Sequence, residues 1–346
     1  STMGMVAIVA TIGVAFAFTT HKGKPALPAA MIALSGFFIL LHQQETGGYA
    51  TQYLGAQGLF AGMTVAIITR MIYDFVLSKG WTIKLPEQVP PAISNQFMAL
   101  TPAAIAIVFW TVVRFVFAQT DYITFSGFIM QVLQTPLTAL GTGLFGSLAA
   151  EFFVQLFWFV GIHGANVVGS VMTPIYEAAT LANLAASQAG EPLPYIVTSQ
   201  FVANLVRNGG SGATLSLAFI MAFLSKSQQI KYIGRLSLAP GLFNINETVT
   251  FGLPIIMNPK MMIPFFVAPM SSVLISYLAI SSGLVGRLPG LAAPWTTPII
   301  ISGFYIGNGD VRVVILQLVT FVTTGLIYFP FIAAWDKAKY AEEQNA

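Results

Sequence analysis

Residues 241–254 read GLFNINETVTFGLP. This stretch sets a carboxylate, Glu247, beside two carboxamides, Asn244 and Asn246, in a chain that is 56% hydrophobic and only 8% charged. A charge deep in a bilayer costs at least about 2.5 kcal/mol, so ionisable groups at that depth usually serve function. A carboxylate there can take a proton from a hydroxyl, and carboxamides can orient it or bind hydroxyls themselves. The plainer alternative is a structural carboxylate that ties a broken backbone together. His163, in GIHGAN, is flanked by Gly161 and Gly164, which let another backbone or a ligand approach closely. An imidazole donates and accepts in turn, which suits a sugar hydroxyl or a proton relay, or it simply packs. Arg207 and Asn208 precede a glycine-rich turn, RNGGSG, that either presents backbone N–H groups to an anion at a helix start or only turns the chain. Trp295, in APWTTP, is a flat face for stacking on a sugar, with the hydroxyls of Thr296 and Thr297 beside it, or an interfacial anchor.

Other polar residues read more plainly. Arg70 and Asp74 are four apart and pair on one helix face. Glu151 and Glu177 flank the His163 segment, as supporting partners or near an interface. Arg114, Arg287 and Arg312 read as interfacial. His21 and His42 fall at helix ends, so His163 lacks a partner for a metal, and neither metal nor cofactor is expected. The absence of cysteine excludes disulfides, thiolate-held metals and a cysteine nucleophile. No P-loop, acidic Mg²⁺ motif or HExxH occurs. A net charge of +3 gives no reason to expect nucleic acid.

The elements that must position these residues follow from the solvent. A soluble domain carries roughly 25% charged residues. A chain this apolar is expected to be an all-α polytopic membrane protein, each span needing about 20 apolar residues. Runs over about 4–20, 26–42, 56–78 and 94–118 meet that need. Lys22 and Lys24 mark the first connection as cytoplasmic, Glu45 the second as external, and Lys79 and Lys84 the third as cytoplasmic again. Residues 122–135 are too short to span and suit an amphipathic helix along the interface. After a run at 137–160, segments 161–174, 195–212, 236–254 and 288–303 are apolar yet interrupted by Gly, Pro, Asn or Thr, with spans at about 210–225, 261–283 and 311–335 between them. Non-helical backbone at membrane depth survives only where protein or a water-filled cavity satisfies it, which points to a substrate site in this half. Lys226, Lys231 and Arg235 place their connection in the cytoplasm, and the tail 336–346 follows it there. The chain opens at Ser1, almost at once inside an apolar run, and reads as a fragment lacking its natural N-terminus.

Taken in order, GIHG, RNGGSGATL, NINET…FGLPIIMNP and PWTTP resemble enzyme IIC of the bacterial phosphoenolpyruvate-dependent sugar phosphotransferase system, in its lactose/cellobiose/diacetylchitobiose family. The resemblance covers nearly the whole chain. The family pattern reads NINEP where this chain has NINET, so Thr248 removes a rigid constraint just after Glu247. The resemblance implies a homodimer in the bacterial inner membrane, each protomer a ten-helix bundle. With the first family helix missing, about nine to ten transmembrane helices are expected here, with re-entrant hairpins in the C-terminal half. It implies dimerisation by residues 1–121 and sugar binding and transport by 136–335. The substrate implied is a β-linked disaccharide, with diacetylchitobiose or cellobiose favoured. Its phosphoryl donor is the phosphocysteine of a separate enzyme IIB, as a cysteine-free chain requires. By motif position His163 and Glu247 are the sugar-binding pair nearest the reacting hydroxyl, with Asn244, Asn246, Asn208 and Trp295 placed by neighbourhood. The chain is then mainly a transporter that supplies a general base. Two other classes remain open from the residues alone: a proton- or Na⁺-coupled sugar transporter, and an intramembrane enzyme acting on a lipid-linked sugar.

Overall fold

The computed structural model describes residues 5–20, 25–41, 51–83, 85–86, 88–253 and 255–345. His21, Lys22, Lys24, His42, Glu45 and Lys84, read above as end-of-helix or loop residues, lie outside the described residues. All regular structure among the described residues is helical. Chain contacts divide it into two compact units, Ser1–Leu137 and Thr138–Ala346.

The first unit is built on small residues. Helix α1 (Val6–Thr20) buries Ala7, Thr11, Ala15 and Thr19, a stripe at helical spacing. It meets α2 (Ala26–Leu40) and α3 (Leu59–Ser78) through Ala30, Ala33 and Ala66. Apolar side chains gain nothing by leaving lipid, so helices there associate by close backbone approach across small residues. The Thr11 and Thr19 hydroxyls are satisfied within the helix by the carbonyls of Ala7 and Ala15, both at 2.7 Å. Helix α4 (Pro91–Ala118) seats Trp110 over Gly36, where any Cβ would overlap the indole, and the Trp110 Nε1–H donates to Thr69 Oγ1 at 2.8 Å. Arg70 and Asp74 form their pair at 2.9 Å. The segment read as one interfacial helix over 122–135 is helical only from Phe125. Helix α5 (Phe125–Phe128) passes into a π-helical turn, Ile129–Gln134, and on into α6 (Thr135–Gly141).

The second unit carries the interrupted segments. Its helices are α7 (Leu144–Phe159), α8 (Gly164–Ala189), α9 (Ser199–Phe201, followed by a π-helical turn Val202–Val206), α10 (Leu215–Leu224), α11 (Gln228–Leu242), α12 (Glu247–Gly252), α13 (Pro259–Ser281), α14 (Ile301–Ile306) and α15 (Val311–Gln344). The segment 161–174 is less broken than its glycines and proline suggest. From Gly164 it is continuous helix, with Pro174 carried inside α8. Two cores share α13 and α15. One gathers Trp158, Leu217, Met221, Val249, Phe265 and Tyr328, and the other Phe201, Leu205, Val273, Leu288, Val313 and Leu316.

Buried carboxamides hold the non-helical stretches. Asn183 donates to the carbonyls of Tyr195 (2.8 Å) and Leu288 (2.9 Å) and accepts the Tyr195 N–H. Gln317 donates to the Asn204 carbonyl and Ser302 Oγ and accepts the Ile300 N–H at 2.9 Å. Gln200 accepts the Ala293 N–H at 3.0 Å. A carboxamide supplies both donor and acceptor without a charge, which is what unpaired backbone groups away from water require.

Helix α3, residues 93–118 of α4, α13 and α15 are each long and apolar enough to cross a bilayer. Residues 125–141 with α7, bent by 76°, make a fifth span if the pair counts as one. Helices α1, α2 and α10 are apolar but shorter.

Candidate functional site

The cavity that gathers the polar residues lies wholly in the second unit. Its volume is about 380 Å³, within the ~300–1,000 Å³ range of small-molecule sites. Its walls come from the end of α7, the start of α8, the turn after the π-helical stretch, the α11–α12 connection and the segment around Trp295.

His163 sits where α7 has ended and α8 begins. Gly161 takes φ +84° to reverse the chain, and Gly164 lies so close to the Val154 carbonyl that a Cβ would overlap it. Those two glycines turn the imidazole out as the N-cap of α8. Its Nδ1 accepts the Asn166 N–H at 3.3 Å. In the neutral ring Nε2 then carries the proton, so the group offers a donor to the cavity. The ring packs on Trp158, with centroids 4.4 Å apart, which fixes its plane.

Helix α11 ends at Leu242, and Asn244 takes φ +62°, a left-handed conformation that asparagine tolerates better than most residues. Its Oδ1 accepts the Gly209 N–H at 2.8 Å, and its Nδ2 donates to the carbonyls of Trp295 (2.6 Å) and Thr297 (3.3 Å). Asn246 donates to the Ser211 carbonyl at 2.5 Å. Both amides thus tie three chain segments together at the cavity wall. Glu247 is the first residue of α12, where the helix dipole favours a negative charge. It is exposed to the cavity and makes no hydrogen bond to another of the described residues. The carboxylate therefore faces the cavity rather than a protein partner. Trp295 is 59% exposed and lines the same space.

Five of the six residues singled out from sequence line this cavity: His163, Asn244, Asn246, Glu247 and Trp295. Asn208 is placed elsewhere. It is buried, and its amide donates to Thr320 Oγ1 at 3.1 Å. Two N–H groups of the glycine turn are used within the chain. The Gly209 N–H goes to Asn244 and the Gly210 N–H to the Arg207 carbonyl. Gly210, at φ +92°, would set a Cβ 2.7 Å from Asn246 Cγ, so the turn serves close packing.

Sequence reasoning did not single out Trp158 or Asn166, and it named Arg207 and Ser211 only as parts of the RNGGSG turn, not as walls of a cavity. Arg207 carried a usable signal, a cation beside glycines in an apolar segment. Trp158 carried none, since it reads as one more apolar residue of α7. Glu151, left undecided between partner and interface, accepts both Nε (3.0 Å) and Nη2 (2.8 Å) of Arg207. No group of three His, Asp or Glu able to hold a metal occurs among the described residues.

The arrangement defines a helical membrane protein whose polar cavity offers a carboxylate, an imidazole and two indoles. Residues 1–269 match the family model of the phosphotransferase system EIIC, and the chain belongs to that family. It is 42% identical over 360 residues to a cellobiose-specific EIIC component of Geobacillus stearothermophilus, covering 99% of this chain and 80% of that one. It is 39% identical over 352 residues to the putative permease IIC component YwbA of Bacillus subtilis, covering 98% and 79%. Its fold is similar to the crystal structure of ChbC, the IIC component of the N,N′-diacetylchitobiose-specific phosphotransferase system. That match has a TM-score of 0.94 at 40% identity and covers 99% of this chain and 82% of the other.

Proposed function

We propose that this chain is the sugar-translocating subunit for a β-linked disaccharide, cellobiose or diacetylchitobiose, and presents it to the phosphocysteine of enzyme IIB. One observation carries the reading: a single cavity in an EIIC-family chain sets Glu247 and His163 among carboxamides and tryptophans. The relatives named for cellobiose, lichenan and diacetylchitobiose support the substrate class.

The roles in this reading are these. Trp295 supplies an exposed apolar face, Trp158 backs the His163 ring, and His163 Nε2–H donates to a sugar hydroxyl. Glu247 accepts the proton of the hydroxyl that attacks phosphorus, a step general bases accelerate by about 10²–10⁴-fold. His163 offsets the charge that develops on that oxygen. In this reading residues 1–121 form the dimerisation half and 136–335 the sugar-binding half, with 122–135 between them and 336–346 a cytoplasmic tail. The protomer has nine to ten spans with re-entrant hairpins, and it works as a homodimer in the lipid of the bacterial inner membrane.

The test is calorimetric titration of the detergent-purified chain with diacetylchitobiose, cellobiose and lactose, beside Glu247→Gln and His163→Ala. Binding of one disaccharide, weakened at least about tenfold in both variants, supports the reading. At saturating sugar, Glu247→Gln must also slow transfer from phosphorylated enzyme IIB by about 10²-fold or more. Transfer at the wild-type rate would remove the base role. Failure to bind any of the three, with sugar uptake driven by ΔpH or Na⁺ in vesicles, would replace the reading with a coupled transporter.

A further inference from the structure

Arg207 stands in the cavity wall, paired to the buried Glu151 behind it, with no part in sugar binding as described. A guanidinium offers hydrogen along two edges. In Arg207 the Nε–Nη2 edge is taken by one carboxylate oxygen, Glu151 Oε2. Glu151 is held in turn by Gln155, whose Nε2 donates to Oε1 at 2.6 Å, and its side chain is 3% exposed. The Arg207 side chain is 23% exposed, and Nη1 bonds to no other described residue. The end-on Nη1–Nη2 edge is thus left over, two parallel N–H groups held in place by a buried partner. That edge fits two oxygens of a phosphate. Sugar hydroxyls can also accept from it, but only an anion adds the charge that makes such a fork strong. The pairing also explains how a cation is kept in an apolar setting: Glu151 cancels the net charge while the donors stay directed.

We propose that Arg207, positioned by Glu151, binds the phosphoryl group during transfer and in the phosphorylated product. The inference rests on the phosphotransfer reading above. In the transfer, the sugar hydroxyl oxygen forms a bond to phosphorus and its proton passes to Glu247. The P–S bond breaks, and its electron pair leaves with the cysteine thiolate of the donor protein. Negative charge stays on the non-bridging oxygens throughout, where fixed N–H donors act most strongly. Proton uptake neutralises Glu247 at the moment the phosphoryl group arrives, so the cavity does not set two anions side by side.

The test is calorimetry on the full chain with two probes, whichever of cellobiose and diacetylchitobiose binds in the titration above and its 6′-phosphate, or cellobiose 6′-phosphate where neither binds. Arg207→Gln is made together with Glu151→Gln, so that no buried charge is left unpaired, and Arg207→Lys is made alone to keep the charge without the fork. The expected result is a fall of about tenfold or more in the ratio of phosphate-ester to disaccharide affinity in the double variant, and a smaller fall in Arg207→Lys. An unchanged ratio, or equal loss of both ligands, overturns the proposal, since the pair would then be structural or a sugar ligand. If the wild-type chain binds no disaccharide, the transport reading fails and the ester decides by itself. Ester binding lost with the guanidinium then sustains the anion site. Ester binding that survives, or none in the wild type, removes it.

Discussion

Asn244 joins the α11–α12 connection to the glycine turn and to the Trp295 segment, so its removal is expected to loosen the cavity wall as a unit. In Asn244→Ala the Gly209 N–H, in a buried residue, loses its acceptor. Leaving a buried donor unmade costs about 1–3 kcal/mol. Alanine must also hold φ +62°, at a further cost of roughly 1 kcal/mol. The carbonyls of Trp295 and Thr297 lose a donor too, but Trp295 is exposed and water can replace it. The sum is about 3 kcal/mol. For a unit of about 200 residues each kcal/mol moves the melting temperature by roughly 2–4 °C. Asn244→Ala should therefore melt about 6–12 °C below the wild type in detergent, followed by fluorescence-detected size exclusion. Asn244→Gly lacks the backbone strain and should recover about 1 kcal/mol of that loss. An alanine variant melting within about 1 °C of the wild type, or above the glycine variant, would refute the reasoning, because the left-handed turn and its hydrogen bond would then carry no load.

Asp336, near the end of α15, accepts the N–H groups of Lys226 (2.8 Å) and Ser227 (2.9 Å) at the entry to α11. Asp336→Ala orphans both at about 1–3 kcal/mol each where they are buried, so tryptic cleavage at the exposed Lys226 should quicken, with Asp336→Asn closer to the wild type because an acceptor oxygen remains. Equal cleavage rates in all three proteins would count against this cap. Asp310, at the start of α15, has its carboxyl held below the usual carboxylate range by hydrogen bonds from the Arg312 side chain, aided by the Arg312 backbone N–H and charge. A depressed carboxylate stabilises the fold above its unfolded value, about 3.9, and loses that contribution as pH falls through the folded value. The melting-temperature gap between the wild type and Asp310→Asn should accordingly be present near neutral pH and close toward acid; a gap that widens toward acid has the wrong sign.

The carboxamides show how this fold reconciles apolar surroundings with interrupted helices. Asn183, Gln200, Gln317, Asn244 and Asn246 each bond to backbone groups that no helix satisfies. Charged side chains in those places would carry a desolvation cost that carboxamides avoid. The wall around Glu247 and His163 can therefore be non-helical and still be held in place.

Much of this was written in the sequence. Composition implied a bilayer, and apolar runs of about 20 residues implied helices, because lipid leaves a backbone only the helix or the closed barrel and barrel strands are about half that length. The apolar runs located α1 to α4, α13 and α15 to within a few residues, apart from the polar extension of α15. The glycines and prolines marked where helices would stop near His163, Arg207, Asn246 and Trp295. The sequence also showed that Glu247 and His163 were too polar for their surroundings. It did not show that Asn208 turns toward Thr320, that Pro174 rides inside a helix, or that Asn244 spends its amide on backbone. Nor did it pair Glu151 with Arg207, 56 positions apart. Local pattern reports which groups need partners, since propensity and hydropathy act over a few residues. Which partner each one finds depends on segments brought together from across the chain, and only the packed tertiary structure decides that.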